Sequence, residues 1–531
     1  MTGFGTALRL ALRRNLVFYL CWIAGLAMLL PATVTKYHDL VPDGPSGAVM
    51  LAQLAANPTM RAILGPAIDL TTAGGFTFWR VGTFTAAGAA MMAALGVIRA
   101  TRDEEENGRV ELIRSGAVSR AVPLAAGLAL AVAASLFCGA VIGASMAALA
   151  GVAGGWASGL GIGLTGAMFA AVAAVVAQVF ESSRTARAWS VGVLLGGLYL
   201  ARALVDGSRT EPDAWTWAMP LDWAALARPY AGERWWVLAL PAAVTIVLSA
   251  LAFRLEALRD HGAGLRQPSL GAADAAPYLR DARGLSWRLQ RGGIVGWTIA
   301  IVVSALSMGS LSLSMGSLLE GQDALAEMLR RLGGGAGALQ AAFFAAMLSI
   351  MATVVTLSGV LVLGRLRQEE TAGRAEVMLA TATSRWAYAL STLVPAVLLP
   401  AGLLVATGAL LPIAQAQHDG SPDLIGTYTQ AACALLPGVV LVLGLAMFLI
   451  GWLPRWFGLS WAVVGWTIVV SWLLPLFDVP DWLLKLQPWG HLPHLPADEM
   501  TWGAFSVTLA AGAVLLVLGA VGYRRRDIYG R

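Results

Sequence analysis

The residues best equipped for chemistry in this chain sit in one charged stretch that occurs twice. The first copy runs from Arg102 to Arg120 and the second from Arg367 to Arg385, aligned without a gap at an offset of 265 (367 minus 102). Nine of the 19 positions are identical: Arg102/Arg367, Glu104/Glu369, Glu105/Glu370, Gly108/Gly373, Arg109/Arg374, Glu111/Glu376, Ala117/Ala382, Ser119/Ser384 and Arg120/Arg385. The carboxylates from Asp103 to Glu106 suggest a divalent cation at a lipid-phosphate site. That chemistry is not what repeats, because Gln368 and Thr371 replace Asp103 and Glu106. What repeats is a mixed-charge core around Gly-Arg-x-Glu, which suits a docking surface, duplicated because its partner has two equivalent faces. A solvated loop that only satisfies a positive-charge rule would explain the arginines but not the matching Glu, Gly and Ser.

Read as a helix, the element puts Glu104 and Glu105 near an N-terminus, where carboxylates meet a favourable partial charge. Glu105 with Arg109, and Glu370 with Arg374, are i,i+4 pairs in the favourable order. Gly108 and Gly373 interrupt the helix at matching places, each at a cost of about 1 kcal/mol relative to Ala. Other chemistry is scarce. Cys21, Cys138 and Cys433 lie in apolar runs, and the five histidines have no ligand spacing. A nucleotide-binding P-loop needs Gly-Lys-Ser/Thr. The only lysines, Lys36 and Lys485, follow Thr35 and Leu484.

The elements that must carry the repeated stretch are apolar. Hydrophobic residues make up 58% and charged residues 13% of the 531-residue chain, against about a quarter charged in soluble proteins. Runs of bilayer-spanning length recur at roughly 16–34, 81–99, 121–149, 157–180, 188–205 and 235–253, then at 293–313, 339–363, 386–414, 428–450, 457–474 and 503–523. This predicts an all-α polytopic membrane protein with about twelve transmembrane helices. Its division is a first six-span half (1–253), an Arg-rich linker with a second surface helix (254–292) and a second six-span half (293–531). Residues 3–15 and 280–291 have the pattern of short amphipathic helices on the membrane surface; a signal-peptide reading of the first lacks a cleavage site.

Of the 36 Lys and Arg, 26 fall in 9–14, 99–120, 184–187, 254–291, 365–385, 455 and 524–531. Positive charge accumulates on the inner side, so both copies and both termini are expected in the cytoplasm of a multi-pass plasma-membrane protein. Six spans per half make the halves parallel repeats related by an axis along the membrane normal. Pro220, Pro229 and Trp235 precede the sixth span as Pro488, Pro496 and Trp502 precede the twelfth. The long outer segments 206–234 and 475–502 read equally as Trp-rich interfacial belts or as short re-entrant helices. The arginine-rich bias (34 Arg, 2 Lys) fits GC-rich bacterial coding and gives no nucleic-acid signal.

The pattern Arg-x-Glu-x-x-x-Gly-x-x-Glu, followed by an apolar stretch and Ser-Arg, resembles the cytoplasmic segment between the second and third spans of ABC-2-type transporter permeases. Arg102, Gly108, Glu111, Val118, Ser119 and Arg120 match in the first copy, and Arg367, Gly373, Glu376, Ser384 and Arg385 in the second. Arg109 and Arg374 stand where the family has Thr, and its Pro is missing. The fused double-length layout is similar to actinobacterial exporters of polyketide-type antibiotics. The resemblance implies an ABC-2 exporter-like fold and an ATPase-coupling role for Arg102, Glu104, Glu105, Gly108, Arg109, Glu111, Arg120, Arg367, Glu369, Glu370, Gly373, Arg374, Glu376 and Arg385. It further implies a separate ABC ATPase homodimer, one permease to two ATPases, with ATP and Mg in that partner and no cofactor here. The first copy is more acidic at Asp103 and Glu106 and more basic at Arg114, which would then let the two ATPase faces be gripped unequally.

An ion-coupled secondary transporter is the alternative. Such proteins carry charged residues at mid-membrane depth. Here Arg202, Asp206 and Glu181 fall only near span ends. A path without mid-span charge suits an amphipathic or hydrophobic small-molecule cargo of the antibiotic or drug class. The apolar runs single out no substrate-binding residue.

Overall fold

The structure is a computed structural model that describes residues 3–114, 118–260, 262–266, 273–320, 336–468, 470, 482, 485–493, 495–496 and 499–527. Among the described residues, 11 helices are long and apolar enough to cross a membrane. They are α1 (Phe4–Val34), α2 (Ala73–Glu106), α3 (Val122–Ala150), α4 (Val152–Val179), α5 (Ser183–Ser208), α6 (Trp235–Leu258), α7 (Ala282–Gly309), α8 (Phe343–Thr371), α9 (Arg385–Asp419), α10 (Asp423–Trp452) and α11 (Trp502–Arg525). The span expected over 457–474 is described only as the helix Gly458–Ile468; its remainder, apart from residue 470, lies outside the described residues. The chain forms two compact units, Met1–Gly271 and Ala272–Arg531, and their boundary falls inside the stretch read as linker.

In the first unit, α3 and α4 form a hairpin about Gly151, whose φ of 120° is open to glycine. Their glycines let the backbones touch: a Cβ on Gly159 would stand 2.3 Å from the Gly139 carbonyl oxygen. Without a hydrophobic drive between helices in lipid, such close approach is what holds them together. The second unit solves the problem with another pair. There α10 meets α11, and a Cβ on Gly451 would lie 2.1 Å from the Gly519 carbonyl oxygen.

The two surface helices are not separate elements. No Gly or Pro interrupts residues 6–23, and α1 runs unbroken from Phe4. Its first turns turn inward, with Leu8 and Ala11 against the core of the first unit. Likewise α7 belongs to a proline-free helix, Ala282–Glu320, with Ala282 and Ser286 buried. Each stretch is thus the first turns of a long helix, while Leu12 and Leu289 on its apolar stripe stay exposed.

Residues 35–72, between the first two apolar runs, hold three helices, Tyr37–Leu40, Pro45–Ala56 and Pro58–Leu64. They share a small core of Val41, Leu51, Leu70, Phe76 and Trp79. In segment 206–234, short helices at Ala214–Trp217 and Trp223–Leu226 fold back on α4, where Gly161 meets Ala224 and the Tyr230 ring covers Gly154. Much of the corresponding segment 475–502 lies outside the described residues.

Candidate functional site

The two copies of the charged element share one backbone design. In the first, α2 ends at Glu106 and a short helix, Arg109–Arg114, begins beyond Gly108. In the second, α8 ends at Thr371 and Arg374–Leu379 follows Gly373. Gly108 and Gly373 have φ of 69° and 72°, and nothing lies within 4 Å of a Cβ at either. Glycine is therefore needed for the left-handed turn, not for space; another residue would be strained by about 1–2 kcal/mol.

That elbow overturns the expected charge pairing. Beyond a left-handed residue the helical phase is lost, so position i+4 no longer faces i. Arg109 Nη1 meets Glu104 at 3.3 Å and Arg374 Nε meets Glu369 at 2.7 Å, both five residues apart. These bonds hold the Arg374 guanidinium above its ordinary pKa. Glu104 and Glu105 lie, as expected, in the first turn of a short helical segment, Arg102–Glu106, set off by non-helical Thr101. Glu369 and Glu370 instead close the unbroken helix that ends at Thr371, where the dipole opposes carboxylates and the arginines offset it.

Glu105 and Glu370 turn inward, each into a clamp between two arginines. Arg102 Nη1 donates to Glu105 at 2.9 Å, and Arg259, one residue past α6, donates to its other oxygen. Arg367 Nη1 donates to Glu370 at 3.2 Å, and Arg526, one residue past α11, closes the other side. Arg102 is 1% exposed and also donates to the Ala177 and Ala263 carbonyls. Arg120 reaches the Glu256 and Arg259 carbonyls at the end of α6, as Arg385 reaches Arg524 and Arg526 at the end of α11. These six repeated charges are thus spent inside each unit, binding the element to the last long helix.

The outer residues are different. Val110 and Ala375 are buried and seat the short helices, leaving Arg109, Glu111, Arg374 and Glu376 exposed. Asp103 and Glu106, read as extra grip for a partner, turn onto the same unit. Asp103 pairs with Arg187, and Glu106 accepts from the Ser183 N–H and hydroxyl at 2.6 and 2.7 Å.

A second polar cluster went unassembled at the sequence level. Arg202 on α5 is fully buried, 3.6 Å from Asp206 and 3.7 Å from Asp222. Arg202 Nη2 donates to the Ala62 and Ile63 carbonyls, and buried Arg61 donates to Ala55, Ala56 and Asp206 carbonyls. Burial pushes the Asp222 carboxyl well above its ordinary value despite Arg202, and the charge on Asp206 adds to the rise. Arg202 and Asp206, an i,i+4 charge pair in an apolar run, were the available signal; nothing in the sequence pointed to Arg61 or Asp222.

Comparison with known proteins gives this architecture relatives. Residues 279–524 match the family described as "Multidrug efflux system permease Rv1217c, C-terminal domain". The multidrug efflux system permease protein Rv1217c of Mycobacterium tuberculosis is 37% identical over 538 aligned residues, covering 99% of this chain and 95% of that protein. An all-α, multi-pass architecture of two units, with likeness running from end to end, leaves one assignment: the chain belongs to the Rv1217c family of multidrug efflux permeases.

Proposed function

We propose that the chain is the permease of an ATP-driven exporter whose motor is a separate ATPase homodimer, two ATPase subunits to one permease, with ATP and Mg bound in that partner. One observation carries the reading: each unit presents the same short charged helix beyond a left-handed glycine, set on a buried arginine–glutamate clamp. A push on that helix passes through Glu105 and Arg120, or Glu370 and Arg385, into the end of α6 or α11. The contact residues are Arg109, Glu111, Arg374 and Glu376, with Glu104 and Glu369 aiming the arginines. Arg102, Glu105, Arg120, Arg367, Glu370 and Arg385 are positioning residues, and Gly108 and Gly373 are the elbows. The arginine distribution supports a plasma-membrane orientation with both elements and both termini in the cytoplasm, and the repeat supports parallel halves. The cargo is an amphipathic or hydrophobic small molecule moved outward.

The test is co-purification with a separate ABC ATPase, sought first in the reading frames adjacent to the permease. Glu111→Arg with Glu376→Arg should weaken ATPase binding and drug-stimulated hydrolysis by about tenfold or more. Undiminished assembly and efflux in that double variant would remove the coupling assignment. The buried Asp206–Asp222 pair favours a second reading, ion coupling. Efflux that stops when the proton gradient is collapsed at constant ATP would select it.

A further inference from the structure

The second unit contains a groove between α7 and α9 of about 640 Å3, within the roughly 300–1,000 Å3 range of small-molecule sites. One wall is the α7 stripe Arg283, Trp287, Gln290 and Ile294, whose spacing puts them on one helical face. The facing wall on α9 is apolar, with Val394 and Leu398 at its centre.

Its polar lining follows from one proline. Pro395 has no N–H, so the Ser391 carbonyl four residues earlier lacks its helical donor. Ser286 Oγ supplies one at 2.7 Å. Its proton spent, Ser286 accepts from Gln290 Nε2 at 2.6 Å. This fixes the amide's orientation and leaves Gln290 Oε1 buried with no hydrogen-bond partner. Folded proteins rarely leave such an acceptor empty. In the first unit the buried Asn15 amide oxygen on α1 accepts from Arg99 Nε at 3.3 Å. In the second, Arg365 on α8 donates to the Leu289 carbonyl at 2.9 Å, and Gln290 Oε1 stays open. At the mouth, Arg283 is exposed and no carboxylate is among the groove's lining residues.

We propose that this groove binds an elongated amphipathic anion. The acid group meets Arg283, the apolar body lies along Trp287, Val394 and Leu398, and a hydroxyl or amide N–H is given to Gln290 Oε1. Seven residues at about 1.5 Å rise set the two polar points roughly 10 Å apart. The inference rests on the exporter reading and gives the chemistry of a cargo taken up at the end of the unit that bears Arg385.

The test uses the full chain in nanodiscs of zwitterionic phosphatidylcholine. The probes are radiolabelled 10-hydroxyoctadecanoate, octadecanoate and the methyl ester of the hydroxy acid. The hydroxy acid should bind about tenfold more tightly than either analogue. Gln290→Leu should erase the preference for the hydroxyl but keep that for the acid, Arg283→Gln should do the reverse, and Val394→Trp should abolish binding. Equal binding of the three probes, or preferences unmoved by the first two variants, overturns the proposal. Displacement by phosphatidylglycerol with the same dependence on Arg283 and Gln290 also overturns it, in favour of a lipid site. Drug extrusion by cells carrying the wild-type chain separates the two failures. Extrusion without probe binding removes the groove and leaves the exporter; no extrusion removes the exporter itself.

Discussion

The charged element of the first unit is fastened to its surroundings at more points than its counterpart in the second. In the first, Arg14 of α1 pairs with Glu104, Arg187 of α5 pairs with Asp103, and Glu106 caps the start of α5. In the second, the Thr371 hydroxyl turns back on the Arg367 and Gln368 carbonyls of its own helix. Both keep the clamp of two arginines on one buried glutamate, the left-handed glycine and the exposed Arg-x-Glu. The difference teaches which part of the motif is indispensable. The clamp and elbow recur residue for residue, while the ties to α1 and α5 belong to one copy. The extra carboxylates of the first copy, Asp103 and Glu106, thus make contacts within the first unit.

The comparison breaks if the clamps are not equivalent. Glu105→Ala and Glu370→Ala each leave two arginines without their shared carboxylate. Each should cost about 3–5 kcal/mol, read as faster hydrogen exchange in 102–114 or 367–379 and a lower melting temperature. A large loss in one variant only would show that one clamp is ornamental. A smaller effect sharpens the asymmetry. Asp103→Asn with Glu106→Gln removes a half-exposed ion pair and a helix cap, about 1–2 kcal/mol together. It should loosen 102–114 and the start of α5. The reciprocal Gln368→Asp with Thr371→Glu should protect nothing in the second unit, and new protection there would mean the ties can be transplanted. The smallest effect is expected at the exposed pairs. Glu104→Gln and Glu369→Gln should cost about 0.5 kcal/mol or less, a loss that shrinks as salt rises. Of the two, Glu104→Gln should be the larger, because Glu104 also holds Arg14.

Most long helices could be read from the apolar runs, because a span needs only length and hydropathy. The repeat could be read because 265 residues separate identical charges. Side-chain direction was not legible. Choosing Glu105 over Glu104 as the partner of Arg109 assumed an unbroken helix, whereas Gly108 takes a positive φ that resets the phase. The roles of Arg102 and Arg120 depend on Arg259 and the end of α6, contacts set by tertiary packing. The stripe of α1 was visible, but its continuation was not: the same helix runs on to Val34 without a break between surface stripe and span. Nothing in the sequence marked Arg61, which the helices within 35–72 carry to the Asp206 carbonyl of α5.

Each clamp closes on residues of its own unit, Arg102 to Arg259 in one and Arg367 to Arg526 in the other. In terms of chain connectivity, none of these bonds crosses the boundary at 271–272. A single cut there would sever a peptide bond but no clamp. Each length of chain on either side of that boundary therefore carries a complete clamp of its own, a circuit closed without borrowing a charge from the other.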